Sequence, residues 1–214
     1  MDGGNRQDWS EWHRSYDDPT SRLAGRLRVV QKHLRQAIDD RRGPIRIIAM
    51  CAGEGRDVIG VLDHHPRRAE VAARLVELNP RNADAARSAA AAAGLDRVEV
   101  ICADAAVTDT YDGAVPADIV LACGIFGNIS EGDIVRTIEY MPHLCAPNAT
   151  VIWTRGYRPE RDVASEIRRW FDDRGFEEVA FEAPADATFR VGVHRLTAEP
   201  RNLQRGVRLF SFLR

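Results

Sequence analysis

Apolar residues recur along the chain in two rhythms. Leu23, Leu27, Val30, Leu34 and Ile38 return every three or four positions, which predicts an amphipathic helix running to about Asp40. Asp18 offers a cap, Pro19 fits a first turn, and Arg42-Gly43-Pro44 ends the helix. Short apolar runs then alternate with helical stretches. Residues 45–51, 71–78, 98–102, 117–123 and 149–154 read as strands, and 58–64, 79–94, 131–141 and 162–174 as helices. Asn79-Pro80 is a cap followed by a first-turn proline, and Gly94 and Gly175 stand where helices stop. Beyond Gly175 the chain alternates at 176–182, 189–196 and 207–213 with no helix between.

Strand–helix units repeated about five times give a parallel sheet covered on both faces, with right-handed crossovers. A closing strand joined by a short loop must be antiparallel. The expected fold class is therefore α/β, a doubly wound, mostly parallel sheet with an antiparallel last strand. Two endings are open. If 176–182 and 207–213 are the last strands, 189–196 is an excursion that brings His194 and Arg195 near a ligand. If 189–196 is itself the last strand, His194 is a structural histidine.

Composition narrows the function classes. With 214 residues, 44% hydrophobic and 29% charged, the chain suits one globular domain rather than a disordered one. No run approaches the roughly 18 apolar residues of a membrane span, and residues 1–5 show no secretory signal. A cytoplasmic protein is the expectation. The net charge of −2 argues against a dedicated nucleic-acid binder. Lys32 is the only lysine; the arginines are scattered, as in a GC-rich genome. Cys51, Cys102, Cys123 and Cys145 form no C-x-x-C pair and have no histidines at zinc-ligand spacing, so reduced core or site-lining thiols are expected.

The chemistry lies where strands end. Residues 47–57 are a strand running through Gly53-Glu54-Gly55 into a helix, a turn that lets backbone approach a ligand. The second strand ends at Glu77, where a carboxylate can accept both hydroxyls of a ribose. The third ends at Asp104. In open α/β sheets, ligands bind outside the carboxyl ends of the strands at the topological switch point. Three such residues on consecutive strands are far more specific than one.

On these residues the chain resembles the class I S-adenosylmethionine-dependent methyltransferases over about 45–183. The resemblance implies a Rossmann-like sheet of seven strands and S-adenosyl-L-methionine as cofactor, with S-adenosyl-L-homocysteine as product. Gly53 and Gly55 match the family's glycine-rich motif, Glu77 its ribose acid and Asp104 the acid that holds the adenine amino group. Residues 117–124 resemble the motif lining the methionine end, and 144–155 the turn into the fifth strand. By position in these motifs, Met50, Cys51, Ala52, Glu54, Asp57, Leu78, Ala105, Cys123 and Gly124 are further cofactor contacts.

There are departures. Ala49 stands for the family's usual acid and Cys51 for its first glycine, with Glu54 or Asp57 as substitutes; Asp57 could instead brace the loop. No Asn/Asp-Pro-Pro-aromatic motif follows the fourth strand, which disfavours methylation of a nucleobase or amide nitrogen. A dinucleotide-binding oxidoreductase is the rival, but its fingerprint fails at Val58. Two further rivals are a non-catalytic sensor of the cofactor and an RNA methyltransferase.

Segments preceding the sheet usually cap the site in this family. Residues 1–42 are expected to be that cap and 43–214 the cofactor-binding domain. Trp9, Trp12, His13 and Tyr16 can close over the site, Tyr16 as a cofactor contact and His13 as acid or base; alternatively they anchor the tail. His194 is the second acid–base candidate. Arg155, after the fifth strand, could bind a substrate carboxylate or phosphate, or form a plain salt bridge. Asn128 could hold a polar group of the substrate, or simply cap the helix that follows. A small-molecule acceptor and no metal are expected.

Overall fold

A computed structural model describes residues 18, 20–157, 162–185 and 187–213. Among them is one sheet of seven strands in the order β3-β2-β1-β4-β5-β7-β6. The strands are β1 Ile45–Met50, β2 Val71–Glu77, β3 Val98–Cys102, β4 Ala117–Ala122, β5 Cys145–Gly156, β6 Phe176–Glu182 and β7 Phe189–Leu196. Strands β1 to β5 pair in parallel. Strand β7 lies antiparallel between β5 and β6. Residues 189–196 are thus the last strand, and the order reverses between β1 and β4, the switch point.

Each face of the sheet buries its alternate residues against helices. On one face, α1 Arg22–Asp39, α2 Val58–Leu62 and α3 Pro80–Ala92 cover Ile47, Ala49, Leu75 and Leu121. On the other, α4 Glu131–Tyr140 and α5 Ala164–Asp172 cover Ile48, Val120, Val151 and Trp153. The cap of α1 is Ser21, whose Oγ accepts from the Ala24 N–H at 3.1 Å. The expected cap, Asp18, instead accepts from the N–H and hydroxyl of Thr20. Asn79 and Pro80 open α3 as expected.

Residues 207–213 form no strand of the sheet, which corrects one of the two expected endings. They make only isolated bridges, Val107 to Arg208 and Ile129 to Phe212. The cause lies in the β3–β4 connection. It contains a single 3-10 turn, Thr108–Tyr111, and no helix to cover its part of the sheet. The C-terminal segment fills that gap as a strap. Leu209 and Phe210 are 0% and 1% exposed within the core of this face. Backbone bonds from Leu209 N–H to Ala106 and from Leu213 N–H to Asn128 fix the strap, each at 2.8 Å. Its apolar alternation thus serves packing rather than a ladder.

Gly192 on β7 is required by Trp153, which lies opposite it on β5. A Cβ at position 192 would fall 2.2 Å from the indole ring, which is itself 0% exposed. Gly192→Ala should therefore cost about 1–3 kcal/mol by overpacking, read as a lower urea midpoint. An unchanged midpoint would contradict this packing.

Helix α1 runs antiparallel to the central strands. Near its start Arg22 donates to Thr188 Oγ1 at 3.0 Å, beside the beginning of β7. Just past its end, Arg41 pairs with Asp118 at the opening of β4. Helix α1 therefore begins at the edge where β1, β2, β3 and β4 end.

Candidate active site

The parallel register lines up the strand ends. Met50 pairs with Val76, Glu77 with Cys102, and Ala122 with Trp153. The segments that follow β1, β2, β3 and β4 leave the sheet along one rim. Gly53, Glu77, Leu78, Asp104, Cys123 and Gly124 all lie on it.

Glu77 ties the first loop to the second strand. One carboxylate oxygen accepts from the Gly53 N–H and the other from the Asn79 N–H, both at 2.8 Å. Each oxygen keeps a further lone pair for a ligand donor. Leu78 beside it is 64% exposed, an apolar shelf at the rim. Asp104 accepts from Ala106 N–H at 2.9 Å through one oxygen and from Arg208 of the strap at 2.9 Å through the other. A carboxylate has about four acceptor positions, so both remain able to receive another donor.

The loop after β1 is held in left-handed backbone. Cys51 has φ +51°, Gly53 +57° and Gly55 +71°. Cys51 is not a glycine, and it carries a conformation that costs such a residue about 1–2 kcal/mol. Its thiol is pushed up by burial first and then by the nearby carboxylates of Glu77 and Asp104, so it stays protonated. Gly55 has no room either: a Cβ there would lie 2.7 Å from both Ile59 and Leu75. Glu54 turns to Arg56, its oxygen accepting at 2.7 Å.

A second cluster lies on the α1 side of the rim. Asp57 accepts from the Val58 N–H at 2.8 Å and so caps α2. Burial raises its carboxyl pKa, partly offset by hydrogen bonds from the backbone, the Val58 N–H first, and then by the Arg26 guanidinium. Burial also pushes up the Cys123 thiol, with the Asp57 charge adding to the effect. Thr154 Oγ1, two residues before the end of β5, accepts from the Gly124 N–H at 2.8 Å. A carboxyl group and a guanidinium thus interact beside the first strand end.

The remaining expected residues fall in several places. Met50 and Ala105 are buried at 1% and 2% in the core of the α4–α5 face, and the Ala105 carbonyl accepts from Tyr111 Oη at 2.6 Å. The Ala52 N–H is committed to Val76. Asn128 donates from its side-chain amide to Gly124 O at 2.7 Å, closing its own loop. Ser130, not Asn128, caps α4. Arg155 is buried on the α4–α5 face and donates to Phe126 O. His13 and Tyr16, with Trp9 and Trp12, lie outside the described residues.

His194 is a correction. It pairs with Val151, five residues back from Gly156 at the end of β5, or roughly 17 Å below the strand end. Its ring stacks on Phe171 at 4.4 Å and its Nδ1 accepts from the Trp153 indole at 3.2 Å. Because 189–196 is a strand rather than an excursion, His194 is not brought to the rim. Burial lowers its pKa to about 4, against the pull of Glu178. The unfolded chain takes up this proton first, near its ordinary value of about 6.5. Stability from His194 is therefore complete above that pH and falls as pH drops toward 4. His194→Gln should flatten that part of the stability–pH curve; the same slope in both proteins would contradict it.

Sequence reading missed Arg26, Thr154 and Arg208. Arg26 is one of several arginines in an arginine-rich helix, and Arg208 reaches Asp104 only through the strap. Among the described residues, no group of histidine, cysteine or acidic side chains is arranged to hold a metal. All four cysteines are free thiols. No described helix is long and apolar enough to cross a membrane.

No family model and no curated protein sequence matches this chain. Solved structures do. Magnesium protoporphyrin IX methyltransferase from Synechocystis PCC 6803, solved with bound SAH, superposes with a TM-score of 0.68 at 13% identity, covering 90% of this chain and 95% of that one. An O-methyltransferase family protein from Burkholderia thailandensis gives 0.61 at 16% identity, covering 86% of this chain. Mitomycin 7-O-methyltransferase gives 0.55 at 20% identity, also covering 86% of this chain. This chain spans 62% and 60% of the latter two. At these identities the likeness is one of fold: a Rossmann-like, seven-stranded methyltransferase sheet.

Proposed function

We propose that the protein is an S-adenosylmethionine-dependent methyltransferase acting on a small-molecule acceptor. The observation that carries this reading is the pair of carboxylates, Glu77 and Asp104, on adjacent strand ends beside the left-handed loop at the switch point. In this reading Glu77 accepts the ribose hydroxyls, Asp104 the adenine amino group, and Leu78 supports the adenine ring. The backbone of 51–55, Ala105, Cys123 and Gly124 completes the cradle. Asp57 and Arg26, of opposite charge, suit the ammonium and carboxylate of the methionine end.

The cofactor, when bound, supplies an activated methyl on a positively charged sulfur. The protein's part is alignment and exclusion of water. The loop at 124–128, Arg155 and the beginning of the cap segment 1–42 are the proposed walls of the acceptor pocket, while helix α1 of that segment packs on the sheet of the domain at 43–214. The N-terminal end of α1 at the site rim supports that cap. An acceptor that carries its proton at working pH needs a base, and His13 is our candidate.

The test is transfer of labelled methyl from S-adenosylmethionine to components of a metabolite extract. Arg155→Ala should lower kcat/KM by roughly tenfold or more, the loss of a charge-assisted bond, while leaving cofactor affinity nearly unchanged. Cofactor binding without transfer to any extract would favour a sensor instead.

A further inference from the structure

The C-terminal strap brings a charge to the rim as well as apolar side chains to the core. Val107 and Arg208 form an antiparallel bridge. Backbone bonds flank it, from the Thr108 N–H to Val207 at 3.1 Å and from the Leu209 N–H to Ala106 at 2.8 Å. Residue 208 is thereby docked against the segment that leaves β3, just past Asp104. Its guanidinium reaches back to that acid, Nη2 to Oδ2 at 2.9 Å. Both side chains stay open to solvent, Arg208 at 54% and Asp104 at 39% exposed. Ion pairs so exposed add little to stability. The strap does not depend on this one, because Leu209, Phe210 and the backbone bonds already hold it.

Each partner keeps capacity for a ligand. Asp104 uses one acceptor position on each oxygen, for the Ala106 N–H and for Arg208. A guanidinium has five N–H donors. Besides the bond to Asp104, they make only a 3.5 Å contact from Nη1 to the Phe210 carbonyl among the described residues. An acceptor oxygen therefore stands 2.9 Å from a nitrogen whose group has donors left. A side-chain amide presents the same acceptor-beside-donor pattern, and amides pair with adenine through its amino group and the adjacent ring nitrogen. In adenine the amino group is flanked by N1 and N7, and both are acceptors.

We propose that Arg208 binds the cofactor directly. With the adenine amino group on Asp104, the Arg208 guanidinium donates to the ring nitrogen beside it, N1 or N7. The inference rests on the methyltransferase reading and adds the strap to the cofactor site. The base is then read by one side chain from the end of β3 and one from the far end of the sequence.

Calorimetry with S-adenosylhomocysteine and its 1-deaza and 7-deaza analogues tests this, on the wild type, Arg208→Met and Arg208→Lys. Each analogue replaces one ring nitrogen by C–H and keeps the amino group. One of the two should bind the wild type roughly tenfold or more weaker than S-adenosylhomocysteine, and that one identifies the nitrogen. In Arg208→Met, S-adenosylhomocysteine itself should bind roughly tenfold or more weaker, and the difference between it and that analogue should vanish, because no donor is left to lose. Arg208→Lys, which keeps a donor, should retain part of the difference. The same difference in the wild type and in Arg208→Met, or equal binding of all three ligands to the wild type, would overturn the inference while leaving the methyltransferase reading standing. A wild type that binds no S-adenosylhomocysteine would overturn both.

Discussion

Phe210→Ala should lower the unfolding free energy by about 3–5 kcal/mol, the usual cost of truncating a core phenylalanine. The residue is 1% exposed and belongs to the core of the α4–α5 face. It substitutes for the helix that the β3–β4 connection lacks. Urea denaturation of the variant and of Phe212→Ala provides the comparison. Phe212 is 47% exposed, and its replacement should cost far less. Equal, small effects at both positions would mean the strap does not close the core. The strap also carries Arg208 to Asp104, so losing it should weaken cofactor binding as well as the fold.

Glu77→Ala should weaken S-adenosylmethionine binding by at least about 1.5–3 kcal/mol, the range for a charge-assisted hydrogen bond. That is roughly a tenfold to hundredfold rise in Kd. The side chain has two duties. Its oxygens fix the Gly53 and Asn79 N–H groups, and in our proposal their remaining lone pairs take the ribose hydroxyls. Glu77→Gln keeps one acceptor oxygen and puts an NH2 donor in place of the other, so it should lose one backbone contact and part of the ribose contact, an intermediate loss. Calorimetry on both variants reads the loss directly, and unchanged affinity would remove the core of the functional reading. Tighter binding of NAD than of S-adenosylmethionine would favour an oxidoreductase.

How much of this the sequence showed depends on whether the signal was local. Strands β3, β6 and β7 match their expected bounds because alternation and flanking turns are properties of adjacent residues. Asn79-Pro80 capped α3 for the same reason. Local signals also misled. Asp18 and Ser21 are both capping types three residues apart, and only the helix itself selects Ser21. Residues 207–213 carry a strand's alternation, yet what they bury is a gap left by a connection a hundred residues earlier. At the rim, Gly53, Glu77 and Asp104 could be placed because each follows a strand end. His194 could not be placed, because whether it faces a ligand or an aromatic core depends on the insertion of β7 between β5 and β6.

If the strand ends at 51–55, 77–78 and 104–105 form a cradle for an adenosyl cofactor, crystals grown with S-adenosylhomocysteine will show it there. Ribose density should lie within hydrogen-bond reach of Glu77. Adenine should rest on Leu78 with its amino group toward Asp104, and the amino-acid end should lie near Asp57 and Gly124. Density for the ligand elsewhere on the molecule, or an empty rim at saturating ligand, would contradict the cradle.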